Sequence, residues 1–102
     1  MPQKSTATKS QVRKRTDIIE FKKYNVVMLN DDITTMEFVV NVLINVFFKT
    51  QDVAESLMMK IHTEGSAVVG TYDFDTAKSK IEKVRSLASK EGFPLRLTIK
   101  QA

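Results

Sequence analysis

The chain has no cysteine and no tryptophan, and only one histidine, two prolines and three glycines among its 102 residues. Each scarcity removes a class of answers. Without cysteine there is no disulfide, no thiolate metal site and no cysteine nucleophile. Three dispersed glycines build no phosphate-cradling loop. The serines Ser56, Ser66, Ser79 and Ser86 lie in no glycine-flanked elbow, so a Ser-His-Asp hydrolase has no foundation. Asp31, Asp32 and His62 are a conceivable metal trio, but one histidine gives no ligand pair at helical spacing, and no cofactor is expected. No apolar run approaches the ~20 residues of a membrane helix, and no apolar signal segment follows the first residues. A soluble cytoplasmic protein without membrane contact is the expectation.

What is present is enough for one small domain. At 42% hydrophobic the chain can bury a single core without staples. The net charge of +4 is unevenly spread: residues 1–23 carry +5 and the remainder −1. Residues 1–21 are rich in Lys, Ser, Thr and Gln, a composition that cannot offset the entropy of ordering, and they read as a flexible basic arm ahead of a domain at 22–102. Because the positive charge belongs to that arm, a small RNA- or ribosome-associated domain is the second-ranked reading and no nucleic-acid partner is expected.

The apolar run Tyr24–Leu29 predicts a central strand. Asn30-Asp31-Asp32 then breaks the extended chain before a helix over about Thr35–Phe48, whose apolar face is Met36, Val39, Val40, Leu43, Val46 and Phe47. Thr34 and Glu37 have capping-box spacing at its start. Thr50 or Asp52 can cap a second helix with Val53, Leu57, Met58 and Ile61 inward and Gly65 at its end. A strand over Ala67–Tyr72 follows, then a helix capped by Asp73 with Phe74, Ala77, Ile81, Val84 and Ala88 inward. Gly92 and Pro94 stop it, and Leu95, Leu97 and Ile99 alternate along a last strand with one wet face. The order βααβαβ predicts an α+β fold, three helices on one face of a three-stranded, mainly antiparallel sheet. Taken singly, the paired acids are ordinary turn formers and a lone helical histidine is ordinarily structural. Together they put an amide, two carboxylates and an imidazole near an apolar helix face, which suits a binding module better than an enzyme.

Tyr24 through Asp32, Thr34 and Met36-Glu37-Phe38-Val39 resemble the Clp protease adaptor family (ClpS). The likeness continues through Met58, His62-Thr63-Glu64-Gly65, Val69-Gly70, Ala77, Lys80 and Pro94-Leu95, so it covers about residues 22–102. Thr35 replaces the family's usual proline, Ile33 an aromatic residue often found there, and Val69 the cysteine of some relatives. The resemblance implies an adaptor that binds proteins by destabilising N-terminal residues and delivers them to an AAA+ unfoldase of the Clp type. By that likeness Asn30, Asp31 and His62 contact the substrate's α-amino group. Ile33, Thr34, Met36, Val39, Met58, Ile61 and Leu95 line a pocket for its first side chain. Met36 stands as the gate that admits Leu, Phe, Tyr and Trp but not β-branched residues. Asp75 and Lys80 match a surface that docks on the unfoldase's N-terminal domain, and the arm assists hand-off. Nothing in the sequence demands self-association, so a monomer is expected.

Overall fold

The computed structural model describes residues 22–102, and the expected basic arm at 1–21 lies outside the described residues. The elements follow the expected order: β1 (Tyr24–Leu29), α1 (Met36–Asn45), α2 (Gln51–Glu64), β2 (Ser66–Tyr72), α3 (Phe74–Glu91) and β3 (Arg96–Gln101). The sheet order is β2-β1-β3 with both pairings antiparallel, so β1 is central as its apolar run predicts. Alternation then divides the sheet: Val26 and Met28 are fully buried beneath the helices, while Asn25, Val27 and Leu29 face the other way. A bulge at Val26/Val27 shifts the β1–β2 register, and Val69 is the unpaired residue of β2.

One apolar cluster holds these layers together. Val39, Val42 and Leu43 from α1, Ala54 and Ile61 from α2, and Ala77, Ile81, Val84 and Ala88 from α3 meet Val26, Met28, Val69 and Leu97 of the sheet. Phe38 and Phe93 close one edge with ring centroids 5.1 Å apart at 71°. The second and third helices start and stop on the expected signals. Thr50 accepts from Val53 N–H, Asp73 accepts from Thr76 N–H, and Gly65 and Gly92 end their helices in the left-handed conformation at φ 93° and 76°.

Four expectations need correction. The first helix stops at Asn45 rather than Phe48, because Val46 and Phe47 turn inward to the core while Phe48 leaves the helical conformation at φ 55°. Val53 and Phe74 are exposed, and Ala54 takes the inward position expected of Val53. Leu95 precedes β3 instead of opening it. Thr35, not Thr34, caps α1: its hydroxyl accepts from Phe38 N–H at 3.1 Å, since Asp31 has engaged the Thr34 hydroxyl.

Candidate functional site

The end of β1 is tied to the end of α2 by backbone. Leu29 pairs with Ser66, and the Asn30 N–H donates to Gly65 O at 2.9 Å. That bond sets the junction Asn30–Thr35 beside the last turn of α2, where His62 stands. The junction itself is organised by Asp31. Its Oδ1 accepts from the Ile33 N–H at 2.8 Å and the Thr34 N–H at 2.6 Å, and its Oδ2 accepts from the Thr34 hydroxyl at 2.7 Å. These bonds make an Asx-type turn that leads directly into the Thr35 cap of α1. A carboxylate has about four lone-pair positions, so one remains on Asp31 for an outside donor.

The electrostatics favour the anion. Partial burial opposes the charge on Asp31, but the hydrogen bonds from Thr34 and Ile33 outweigh it and hold the carboxyl below its ordinary range. Asn30, Asp32 and His62 are exposed, and among the described residues none of their side chains has a protein hydrogen-bond partner. Their polar atoms are free to meet a ligand.

These groups surround a depression of about 390 Å³ between the junction, α1 and α2, near the lower end of the ~300–1,000 Å³ usual for ligand sites. Val39 and Ile61 are buried and form its floor, while Met36 and Met58 stand higher on the walls. Ile33, 63% exposed, is an apolar rim residue. Asn30, Asp31, Asp32 and His62 therefore border the same hollow as the apolar Val39 and Ile61. Such a site suits a small cation attached to a greasy side chain.

Nine of the ten residues expected here border the depression: Asn30, Asp31, Ile33, Thr34, Met36, Val39, Met58, Ile61 and His62. Leu95 does not. It is 6% exposed within the main core, facing the side of the sheet that Leu97 also faces. Asp32 and Thr35 border it as well. The residues alone group Asp32 with Asp31 beside the apolar face, the resemblance gives it no role, and Thr35 is left out of the site by both. Adjacency to Asp31 was the available signal for Asp32. For Thr35 there was none, because its place depends on Thr34 bonding Asp31. Asp75 is exposed on the first turn of α3, away from this mouth, and Lys80 lies half-buried on the same helix. Among the described residues, no three acidic or imidazole groups converge as a metal-ion set, and no helix is long and apolar enough to cross a membrane.

Comparisons with known proteins agree with this picture. The family model described as "ATP-dependent Clp protease adaptor protein ClpS" matches residues 20–98. The chain is similar to the ATP-dependent Clp protease adapter protein ClpS of Acetivibrio thermocellus, with 48% identity over 85% of this chain and 90% of that one. It is also similar to the ClpS adapter of Wolinella succinogenes, with 37% identity over 99% of each. Among solved structures it is similar to Agrobacterium tumefaciens ClpS2 bound to L-phenylalaninamide, with TM-score 0.76 and 41% identity, covering 79% of this chain and 98% of that one. The curated relatives are named as adapters, not as enzymes.

Proposed function

The chain belongs to the ClpS family of ATP-dependent Clp protease adaptors, and from that premise we propose that it captures proteins by a free α-amino group on a bulky hydrophobic first residue. It then delivers them to a Clp-type AAA+ unfoldase. The observation that carries the reading is the single depression in which the amide, acid and imidazole of Asn30, Asp31 and His62 meet a floor of Val39 and Ile61. The ligand of the ClpS2 relative is consistent with it, since L-phenylalaninamide offers a free α-amine beside an aromatic side chain.

The chemistry is direct. An α-ammonium has three donors and no acceptor, so it needs three converging lone pairs. Asn30 Oδ1, the uncommitted lone pair of Asp31 and a His62 ring nitrogen supply them. Hydrogen bonds to charged groups contribute roughly 1.5–3 kcal/mol each. Burial of a Leu, Phe, Tyr or Trp side chain against Ile33, Thr34, Met36, Val39, Met58 and Ile61 adds roughly 1.5–3 kcal/mol. After the cost of association this gives binding near micromolar, about −8 kcal/mol. Met36 acts as the gate: a side chain branched at Cβ meets its wall, whereas one branched at Cγ passes. The surface around Asp75 and Lys80 docks on the unfoldase's N-terminal domain, with the chain working as a monomer in the cytoplasm.

A panel of peptides that differ only in the first residue tests the reading. Leu, Phe, Tyr and Trp starts should bind near micromolar, and Ile, Val, Ala and Lys starts at least about tenfold weaker, a gap of ~1.4 kcal/mol. Equal affinity across the panel would overturn it.

A further inference from the structure

The C-terminal end of α1 breaks two local rules that the chain keeps elsewhere. Phe48 has φ 55°, in the left-handed region where glycine or asparagine is usual, and it is the one non-glycine residue found there among the described residues. Its ring is also 78% exposed, the most open of the large apolar side chains described. Neither departure is returned as core packing, which Phe47 supplies next to it at 3% exposure. The left-handed turn itself serves the helix end, since it lets the Lys49 N–H close on Leu43 O at 3.0 Å. That cap needs no aromatic side chain, so the exposed ring is the feature that points to use outside the fold.

Lys80 of α3 holds this end in place. Its ammonium donates to Val46 O at 2.7 Å and lies 4.5 Å from the Phe48 ring centroid, 5.3 Å from Tyr72 and 5.9 Å from Phe47. Because α1 has no basic residue in its last turn, Lys80 also provides the positive charge that the helix C-terminus favours. Gly70 makes the cage possible, since a Cβ there would collide with the Tyr72 ring. Burial, with Lys83 nearby, lowers the Lys80 pKa from the ordinary lysine value. Beside the Phe48 ring runs a groove of about 400 Å³ bordered by Asn45, Asp75, Ser79, Lys80 and Lys83.

We propose that Phe48 is the apolar anchor through which this chain docks on its Clp-type unfoldase, that Lys80 is the positioning residue that presents the ring, and that Lys83 and Asp75 are the flanking charges. The proposal rests on the docking reading above and adds the residue on which that contact turns. An adaptor must hold substrate and machine together, and the two depressions lie at opposite ends of α1. Ten residues of helix separate them by about 15 Å, which leaves both accessible at once. An aromatic ring flanked by two lysines and one aspartate fits an apolar socket edged mainly by carboxylates.

The test measures binding of the full chain to the full-length Clp-type unfoldase of the same organism, with affinity for a Leu-initiated peptide read on the same samples. Phe48→Gly should weaken unfoldase binding at least about tenfold with peptide affinity and Tm unchanged, because glycine suits φ 55°. Lys80→Met should weaken docking severalfold, but not further when Phe48 is already glycine, and Lys80→Arg should retain most of it. Additive losses from Lys80→Met and Phe48→Gly would mean that Lys80 acts independently of the ring and would remove it as a positioning residue. Wild-type docking by Phe48→Gly overturns the anchor. If Asp75→Lys still abolishes docking in that case, the docking reading survives alone, and if wild type does not dock at all, both fall. Self-association that disappears in Phe48→Gly while unfoldase binding persists would give the ring to a second copy and also overturn the proposal.

Discussion

The two ends of α1 solve the same problem in opposite ways. At the N-terminal end the turn is built from its own neighbours: Asp31 takes two backbone N–H groups and a hydroxyl, and Thr35 caps the first turn. At the C-terminal end local bonds, Val46 N–H to Val42 O and Lys49 N–H to Leu43 O, are supplemented from far along the chain. Phe48 occupies a conformation better suited to glycine, and the cation that meets Val46 O comes from α3, 34 residues along the chain. The contrast fits what the proposed roles ask of each end. An α-ammonium must find lone pairs already aimed at it, so its loop is rigidified by its own hydrogen bonds. A docking surface needs an exposed anchor, so an apolar ring is held out of the core by a support placed elsewhere in the fold.

The largest expected effect tests the N-terminal end. Asp31→Asn keeps an oxygen for the Ile33 and Thr34 N–H groups but removes the charge. It should weaken binding of a Leu-initiated peptide by roughly 10–100-fold, as loss of a charge-assisted bond implies, with little change in Tm. Asp31→Ala should lose both binding and part of the loop, so the pair separates charge from scaffolding. Equal affinities of Asp31→Asn and wild type in fluorescence anisotropy would remove the carboxylate from the amine site.

Met36→Ala should next raise affinity for Ile- and Val-initiated peptides at least about fivefold, ~1 kcal/mol, relative to Leu. If the branched starts remain excluded, Met36 is a wall of the hollow and not its gate. His62→Ala, which removes one acceptor, should cost about 1 kcal/mol, or roughly fivefold in affinity, and leave the fold intact. Thr35→Ala should cost ~1 kcal/mol of stability through loss of the cap, measured by chemical denaturation, with peptide binding changed less. The smallest effect concerns acid. Asp31 is held below its ordinary range, so the stabilisation it gives the junction is present above the unfolded value of ~3.9 and is lost as pH falls through the folded value. Asp73 is held low as well, by bonds from Thr76, so the Asp31 share is the part of the wild-type loss of Tm on acidification below pH ~4 that Asp31→Asn does not show. Parallel acid curves would contradict it.

The same contrast explains what was legible in the sequence. The N-terminal end obeys local chemistry, and Asn30-Asp31-Asp32 before an amphipathic run announced both the break and the helix. The exception was the cap. Two adjacent threonines compete for one role, and the choice is made by which hydroxyl Asp31 engages, a three-dimensional fact. Leu95 was read into the hollow from the resemblance, but its approach to β3 turns it into the main core. The C-terminal end was illegible for a deeper reason. Val46, Phe47 and Phe48 continue an apolar helical pattern although the helix stops at Asn45, and Lys80 gives no sign in sequence of pairing with Val46. Periodicity reports which residues are greasy, not which of them a distant lysine will hold outside.

The account stands on recognition of a free amine at the mouth of an apolar hollow. Isothermal titration with one Leu-initiated peptide, unmodified and then Nα-acetylated, measures that recognition most directly. A loss of at least about 100-fold on acetylation, ~2.7 kcal/mol, is the expected result, since acetylation removes the charge and two of the three donors. Acetylated and free peptides bound alike would mean that the hollow reads only the side chain, and that Asn30, Asp31 and His62 play no part in capture.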